Sequence, residues 1–180
     1  MSVAENFLAK KEEYYMLHEM KVSGITIDPT SNSPIVILKA IHVDQALPIW
    51  IGILEATAIA TELENVRLAR PMTHDLFVNF LDVLKITISK VEVCDLRDNT
   101  FYSTIHFSSN SQSYNIDARP SDAIALALRA NCPIFVDDKV LEKSAHLDQD
   151  PEAFDKSEEG KKWKEYLEKL SPDQFGKYKM

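Results

Sequence analysis

Asp117, Arg119, Ser121 and Asp122 stand where a strand-like segment runs into Ala123-Ile124-Ala125-Leu126-Ala127-Leu128, which is wholly apolar. A helix with so little polar surface is buried on most sides, so charges at its mouth either anchor it or form a site. Pro120 suits the first helical position, where its missing N–H costs nothing. Asp122 then falls in the first turn, near the positive end of the helix. Asp117 and Arg119 lie two apart on a strand end and project to one side. They are expected to pair, and Asp117→Ala is expected to lower thermal stability by orphaning Arg119. The same residues suit phosphate chemistry. Arg119 and the free helix N–H groups could accept a phosphate, while Asp117 or Asp122 could hold a divalent metal or activate water.

Two further groups bear chemistry. Arg70-Pro71-Met72-Thr73-His74-Asp75 offers an imidazole beside a carboxylate, but neighbouring residues on a helix do not face each other, so His74 and Asp75 form no ready-made dyad. Thr73 reads as the cap of a helix, with Asp75 in its first turn. Arg70 is a candidate phosphate contact or a partner for the end of the preceding helix. Glu55 opens another helix. If the helix mouths meet near a pseudo-twofold axis, Glu55, Asp75, Asp117 and Asp122 would converge as a carboxylate cluster suited to Mg²⁺ or Mn²⁺.

The elements that would position these groups follow from periodicity. Alternating or β-branched runs predict strands over 20–28, 34–42, 47–53, 86–96, 101–108, 113–118 and 133–136. Helical spacing predicts helices over 54–68, 73–84 and 120–131, with Val66 facing inward on the first of them. Asp98-Asn99 and Asn110-Ser111 mark turns. Strand-strand-strand-helix occurs twice. At an offset of 65 positions, Ile51, Ala58, Ile59 and Ala60 match Ile116, Ala123, Ile124 and Ala125. Glu55 then stands where Pro120 stands, and Thr57 where Asp122 stands. The expectation is an α+β fold: a duplicated β3α unit with mostly antiparallel sheets and peripheral N- and C-terminal helices. The chain divides into an N-terminal helical extension (1–19), a central domain (20–140) and an acidic linker with a C-terminal helix (141–180). Helical spacing appears in 3–17, and in 161–170 through Trp163, Tyr166, Leu167 and Leu170. Trp50, Phe101 and Tyr102 read as core.

Composition narrows the class. The 180 residues are 45% hydrophobic and 27% charged, as in a water-soluble globular protein. No run approaches a membrane span, and Met1–Asn6 has no secretory signature. Cys94 and Cys132 match no metal or disulfide spacing, which suits a cytoplasmic protein. Net charge is −8 and no part is basic: residues 1–20, 21–135 and 136–180 carry −2, −3 and −3. A nucleic-acid partner would therefore have to be held by a small local site, a metal or another protein. There is no Walker loop, GxGxxG, GxSxG, HExxH or zinc spacing.

Taken in order, Leu47-Pro48-Ile49-Trp50-Ile51-Gly52, Glu55-Ala56, Arg70-Pro71, Thr73-His74-Asp75, Phe101-Tyr102 and Asp117-Ala118-Arg119-Pro120-Ser121-Asp122-Ala123-Ile124-Ala125 resemble the bifunctional nuclease domain family. The resemblance spans roughly Met20 to Val140. It implies an α+β fold often found as a dimer, and nuclease activity on DNA and RNA. Carried onto this chain, it makes Glu55, His74, Asp75 and Asp122 the catalytic candidates. Arg70, Arg119 and Ser121 would touch substrate, and Glu55, Asp117 and Asp122 would hold Mg²⁺ or Mn²⁺. Two classes of function then compete: a metal-assisted nuclease, and a non-catalytic homodimeric scaffold or regulatory binding module whose polar motif is structural. Asp117, Asp122, Glu55 and His74 gathered in one exposed cleft would favour the first; the same residues spread apart, or buried in closed pairs, would favour the second.

Overall fold

The computed structural model describes residues 16–109 and 112–145. Strands β1 (Leu17–Ile27), β2 (Pro34–Ala40) and β3 (Ala46–Trp50) form an antiparallel meander, followed by helices α1 (Ile53–Leu63) and α2 (Thr73–Val83). A second meander, β4 (Thr87–Arg97), β5 (Thr100–Ser109) and β6 (Gln112–Ala118), leads into α3 (Pro120–Ala130). Strand β7 (Ile134–Asp137) and the short α4 (Asp138–Ser144) complete the described chain. The strands make one seven-stranded sheet in the order β3-β2-β1-β7-β4-β5-β6. β7 joins the meanders, antiparallel to β1 and parallel to β4. The fold is α+β, as expected, with one mostly antiparallel sheet in place of separate ones.

The core lies between one face of this sheet and the helices. Leu38, Val91, Val93, Ile105 and Val136 rise from the strands to meet Ile59 of α1 and Ile124 of α3. Ala56 and Ala58 on α1, and Ala123, Ala125 and Ala127 on α3, are all buried. Their small side chains let α1 and α3 pack closely, so the mouths of the two helices stand side by side. The apolar run that predicted a deeply buried helix is that helix.

Several boundaries move for local reasons. The first helix stops at Leu63, not Leu68, because Asn65 takes a left-handed conformation (φ 53°), and Val66 is exposed rather than inward. Met72, not Thr73, is the N-cap of α2; its backbone N–H donates to the Asp75 carboxylate at 2.8 Å. β1 starts at Leu17, ahead of the expected Met20. α4 was not expected. Asp137 Oδ1 accepts the Lys139 N–H at 3.0 Å to start it, and Val140 and Leu141 are buried, so ordered packing runs past Val140. Of the helices expected over 3–17 and 161–170, residues 3–15 and 161–170 lie outside the described residues, and Leu17 belongs to β1 instead. Among the described residues, no helix is long and apolar enough to cross a membrane.

Candidate functional site

α1 and α3 each carry an acidic side chain at their third residue, Glu55 and Asp122. Counted from the helix starts, Glu55 stands level with Asp122, not with Pro120 as the 65-position offset has it; the helix starts alone do not establish a duplicated unit. Between them stands Arg119, the N-cap residue of α3, in extended conformation (φ −66°, ψ 143°). Its Nη1 donates to Glu55 Oε1 at 2.8 Å, its Nε to Asp122 Oδ2 at 2.8 Å, and its Nη2 to Asp122 Oδ1 at 3.3 Å. His74, the second residue of α2, brings Nε2 within 3.3 Å of Asp122 Oδ1. One guanidinium and one imidazole thus tie the starts of three helices together. Gly52 leaves the space that the Glu55 carboxylate occupies; a Cβ there would have to displace it.

The electrostatics follow from this packing. Burial raises the Asp122 pKa, but the hydrogen bonds from Arg119 and His74 outweigh it and hold the carboxyl below its ordinary value. Arg119 is raised in turn, first by its hydrogen bond to Asp122 and then by the charges of Asp122 and Glu55.

Beside Arg119 opens a cleft of about 540 Å³. Glu55, Arg119, Ser121, Trp50 and Phe101 line it, and the β4–β5 hairpin closes one side with Asp98, Asn99 and Thr100. Asp98 and Asn99 both take positive φ (47° and 58°), the geometry of a tight hairpin turn. Trp50 and Phe101 are thus half-buried wall residues; Phe101 also packs against the core, as expected, while Trp50 is fixed by its Nε1–H donating to Asp28 Oδ2 at 3.1 Å. Tyr102 is exposed and lies under the Arg97 guanidinium, 5.1 Å from its carbon to the ring centroid. The hairpin tip was legible as a turn, but nothing local in sequence says that it reaches a helix mouth some twenty residues further along.

Other expected partners go elsewhere. Asp117 does not pair with Arg119. It is opposite Thr104, which is opposite Glu92. Cross-strand partners share a face, so Asp117 lies on the face away from the helices, exposed and without an ion pair among the described residues. The expected destabilisation by Asp117→Ala loses its basis. Asp75 turns from His74, as adjacent helical residues must. It accepts from Arg129 in the last turn of α3, and that pairing and the Met72 N–H outweigh burial and lower its pKa. Arg70 stands with Asp75 and Arg129 in a second cavity, away from the cleft. His74 and Asp122 sit behind Arg119 and are not among the residues lining the cleft.

The four carboxylates therefore do not converge. Among the described residues no three His, Cys, Asp or Glu side chains form a group able to hold a metal ion. The cation between Glu55 and Asp122 is Arg119, so the donors as arranged do not fit a divalent metal.

An α+β protein with a cleft of mixed polar and apolar lining at paired helix mouths is the class this architecture defines. The chain belongs to the bifunctional nuclease domain family, whose sequence model matches residues 36–149. It is 38% identical over 162 residues to an uncharacterized protein of Mycobacterium tuberculosis, covering 87% of this chain and 97% of that one. It is 25% identical over 141 residues to bifunctional nuclease 1 of Arabidopsis thaliana, covering 75% of this chain and 43% of the relative. Over 100 residues it is 23% identical to bifunctional nuclease 1 of Oryza sativa subsp. japonica, covering 54% of this chain and 30% of the relative.

Proposed function

We propose that this protein hydrolyses phosphodiester bonds of nucleic acid at the cleft beside Arg119. The observation that carries the reading is the Arg119 guanidinium, held by Glu55 and Asp122 at the edge of a cleft that Glu55 and Ser121 also line. In this reading Arg119 and Ser121 take the phosphate oxygens, and Arg119 neutralises the charge that grows in the transition state. Glu55 accepts a proton from the attacking water. The water oxygen forms the new P–O bond, the bond to the leaving sugar oxygen breaks, and that oxygen takes a proton from solvent. Asp122 and His74 do not line the cleft; they position Arg119, with His74 as the group able to move a proton behind it. Mg²⁺ or Mn²⁺ could bind Glu55 and Asp122 only if Arg119 left them, so the metal is a separate part of the proposal and no step above depends on it.

The test is cleavage of single-stranded DNA and RNA by the purified protein, with and without EDTA. Activity should fall at least tenfold in Asp122→Asn while the far-UV spectrum stays unchanged; about 10²-fold would match the loss of one positioned electrostatic group. Equal cleavage by wild type and Asp122→Asn would mark a contaminating nuclease and overturn the assignment. Cleavage that survives EDTA removes the metal from the proposal.

The ion-paired chain from Glu55 to His74 favours a second reading, in which these residues only lock the helices of a scaffold. A homodimer fits either reading. α2 turns Leu76, Phe80, Val83 and Leu84 outward, and Val83 is 79% exposed. Tyr114 and Ile116 share the helix-covered face with Phe107 and Ile105, their partners on β5, yet are exposed beyond the helix layer. Apolar surface of this kind is usually covered by a partner. Sedimentation velocity should give a dimer; a monomer at micromolar concentration overturns that part. The free thiols Cys94 and Cys132 suit a cytoplasmic setting.

A further inference from the structure

Glu55 and Asp98 outnumber Arg119 among the charges lining the cleft, in a chain of net charge −8. A polyanion brought there needs a cationic hold nearby. On the far side of the first turn of α2 lies a cavity of about 260 Å³, lined by Arg67, Arg70 and Arg129 with Glu62 and Asp75. Here three guanidiniums meet two carboxylates. Arg67 pairs with Glu62 at 3.0 Å. Arg129, whose side chain is only 5% exposed, is fixed by Asp75 and by the Ala125 carbonyl at 3.0 Å. Arg70 is exposed and makes no ion pair among the described residues, so its charge is the unmatched one.

We propose that this arginine pocket binds a backbone phosphate of a single-stranded nucleic acid whose neighbouring phosphates lie at the cleft. Spacing supports it. Consecutive residues of α2 reach toward both places: His74 touches Asp122, which holds Arg119 from behind the cleft, and Asp75 touches Arg129 in the pocket. Asp122 and Arg129 are seven residues apart on α3, about 10 Å of helix rise. Phosphates repeat every ~3.4 Å of axis along one strand of a duplex and lie further apart on an extended single strand, so the interval spans no more than about three of them. Arg70 offers a planar fork of donors to a phosphate, beside the Arg129 guanidinium that Asp75 already pairs and holds in place. The position of the strand rests on the reading of the cleft; anion binding by the pocket does not.

The experiment titrates wild type and Arg70→Gln with a single-stranded oligothymidylate long enough to span both places, across a salt series. Arg70→Gln should weaken binding about tenfold, the size of one charge-assisted hydrogen bond. It should also flatten the slope of log affinity against log salt by about 0.7, one phosphate contact on a single strand. In the wild type, the Nε–Hε resonances of Arg70 and Arg129 should shift on titration. Arg70 is exposed, so the variant should keep the wild-type melting temperature. Cleavage with no change of slope in Arg70→Gln, or oligonucleotide binding that leaves those resonances unmoved, overturns the pocket and leaves the cleft reading standing. Binding that moves the resonances and loses slope in the variant, in a protein that cleaves nothing, upholds the pocket and overturns the cleft reading. No binding overturns both.

Discussion

Arg119→Ala should reduce nucleic-acid cleavage by about 10²-fold or more, the loss seen when one preorganised charge-stabilising donor is removed. Stability should fall by only about 1 kcal/mol, because the Arg119 side chain is 65% exposed and exposed ion pairs contribute little. Steady-state cleavage and denaturant unfolding on the same preparations separate the two effects. Arg119→Lys is the sharper control. A lysine keeps the charge but has no fork with which to reach Glu55 and Asp122 at once, so it should restore stability better than cleavage. The substitution also changes the acid limb of stability. Asp122 has a lowered pKa in the folded protein, so its contribution is present above the ordinary carboxylate value of about 3.9 and lost as pH falls through the lowered folded value. Without Arg119 that contribution should shrink, and the difference between wild type and variant should narrow on acidification below about pH 4. An Arg119→Ala protein that cleaves at the wild-type rate would remove the guanidinium from the chemistry altogether.

Asp75→Ala should cost about 3 kcal/mol of folding stability, at the lower end for breaking a buried ion pair from one side. The Arg129 side chain is only 5% exposed and would be left holding a charge with the Ala125 carbonyl as its remaining partner. The same change removes the acceptor of the Met72 N–H at the start of α2. Asp75→Asn keeps an oxygen for that N–H and loses only the charge, so it should fall between wild type and alanine. The unfolding midpoint in urea, with an unchanged slope, measures both variants. Full stability in Asp75→Ala would show that the α2–α3 lock does not depend on this pair.

Much of the fold could be read from periodicity, because the buried stripes are long and unambiguous: Ile124 and its alanines, Leu38 with Val36, and Val91 with Val93 all lie in predicted elements. What local reading missed depends on neighbours distant in sequence. Asp117 and Arg119 are two apart and look like partners, but the strand ends at Ala118. The chain then turns at Arg119 into the helix, which carries the guanidinium to Glu55, 64 residues earlier. Asp75 looked like a companion of His74, yet its partner is 54 residues away at the opposite end of α3. The 65-position offset aligned the alanines but misaligned the helix starts by two residues. It thereby hid the likeness of Glu55 and Asp122, which stand at the same place in their helices. Residue types were informative; their pairing was set by topology.

β7 is the last of the described strands to leave the ribosome, yet it occupies the middle of the sheet, between β1 and β4. Without it the two meanders share no ladder. Joining them closes a loop on the scale of the 120 residues that separate His18 from Asp138, a non-local contact of the kind that slows folding. Assembly of the whole sheet must therefore wait for nearly all of this region to be synthesised, and until then each meander presents an unpaired inner edge. A nascent chain halted before Ile134 would carry two such edges at once, the form most exposed to pairing with another chain.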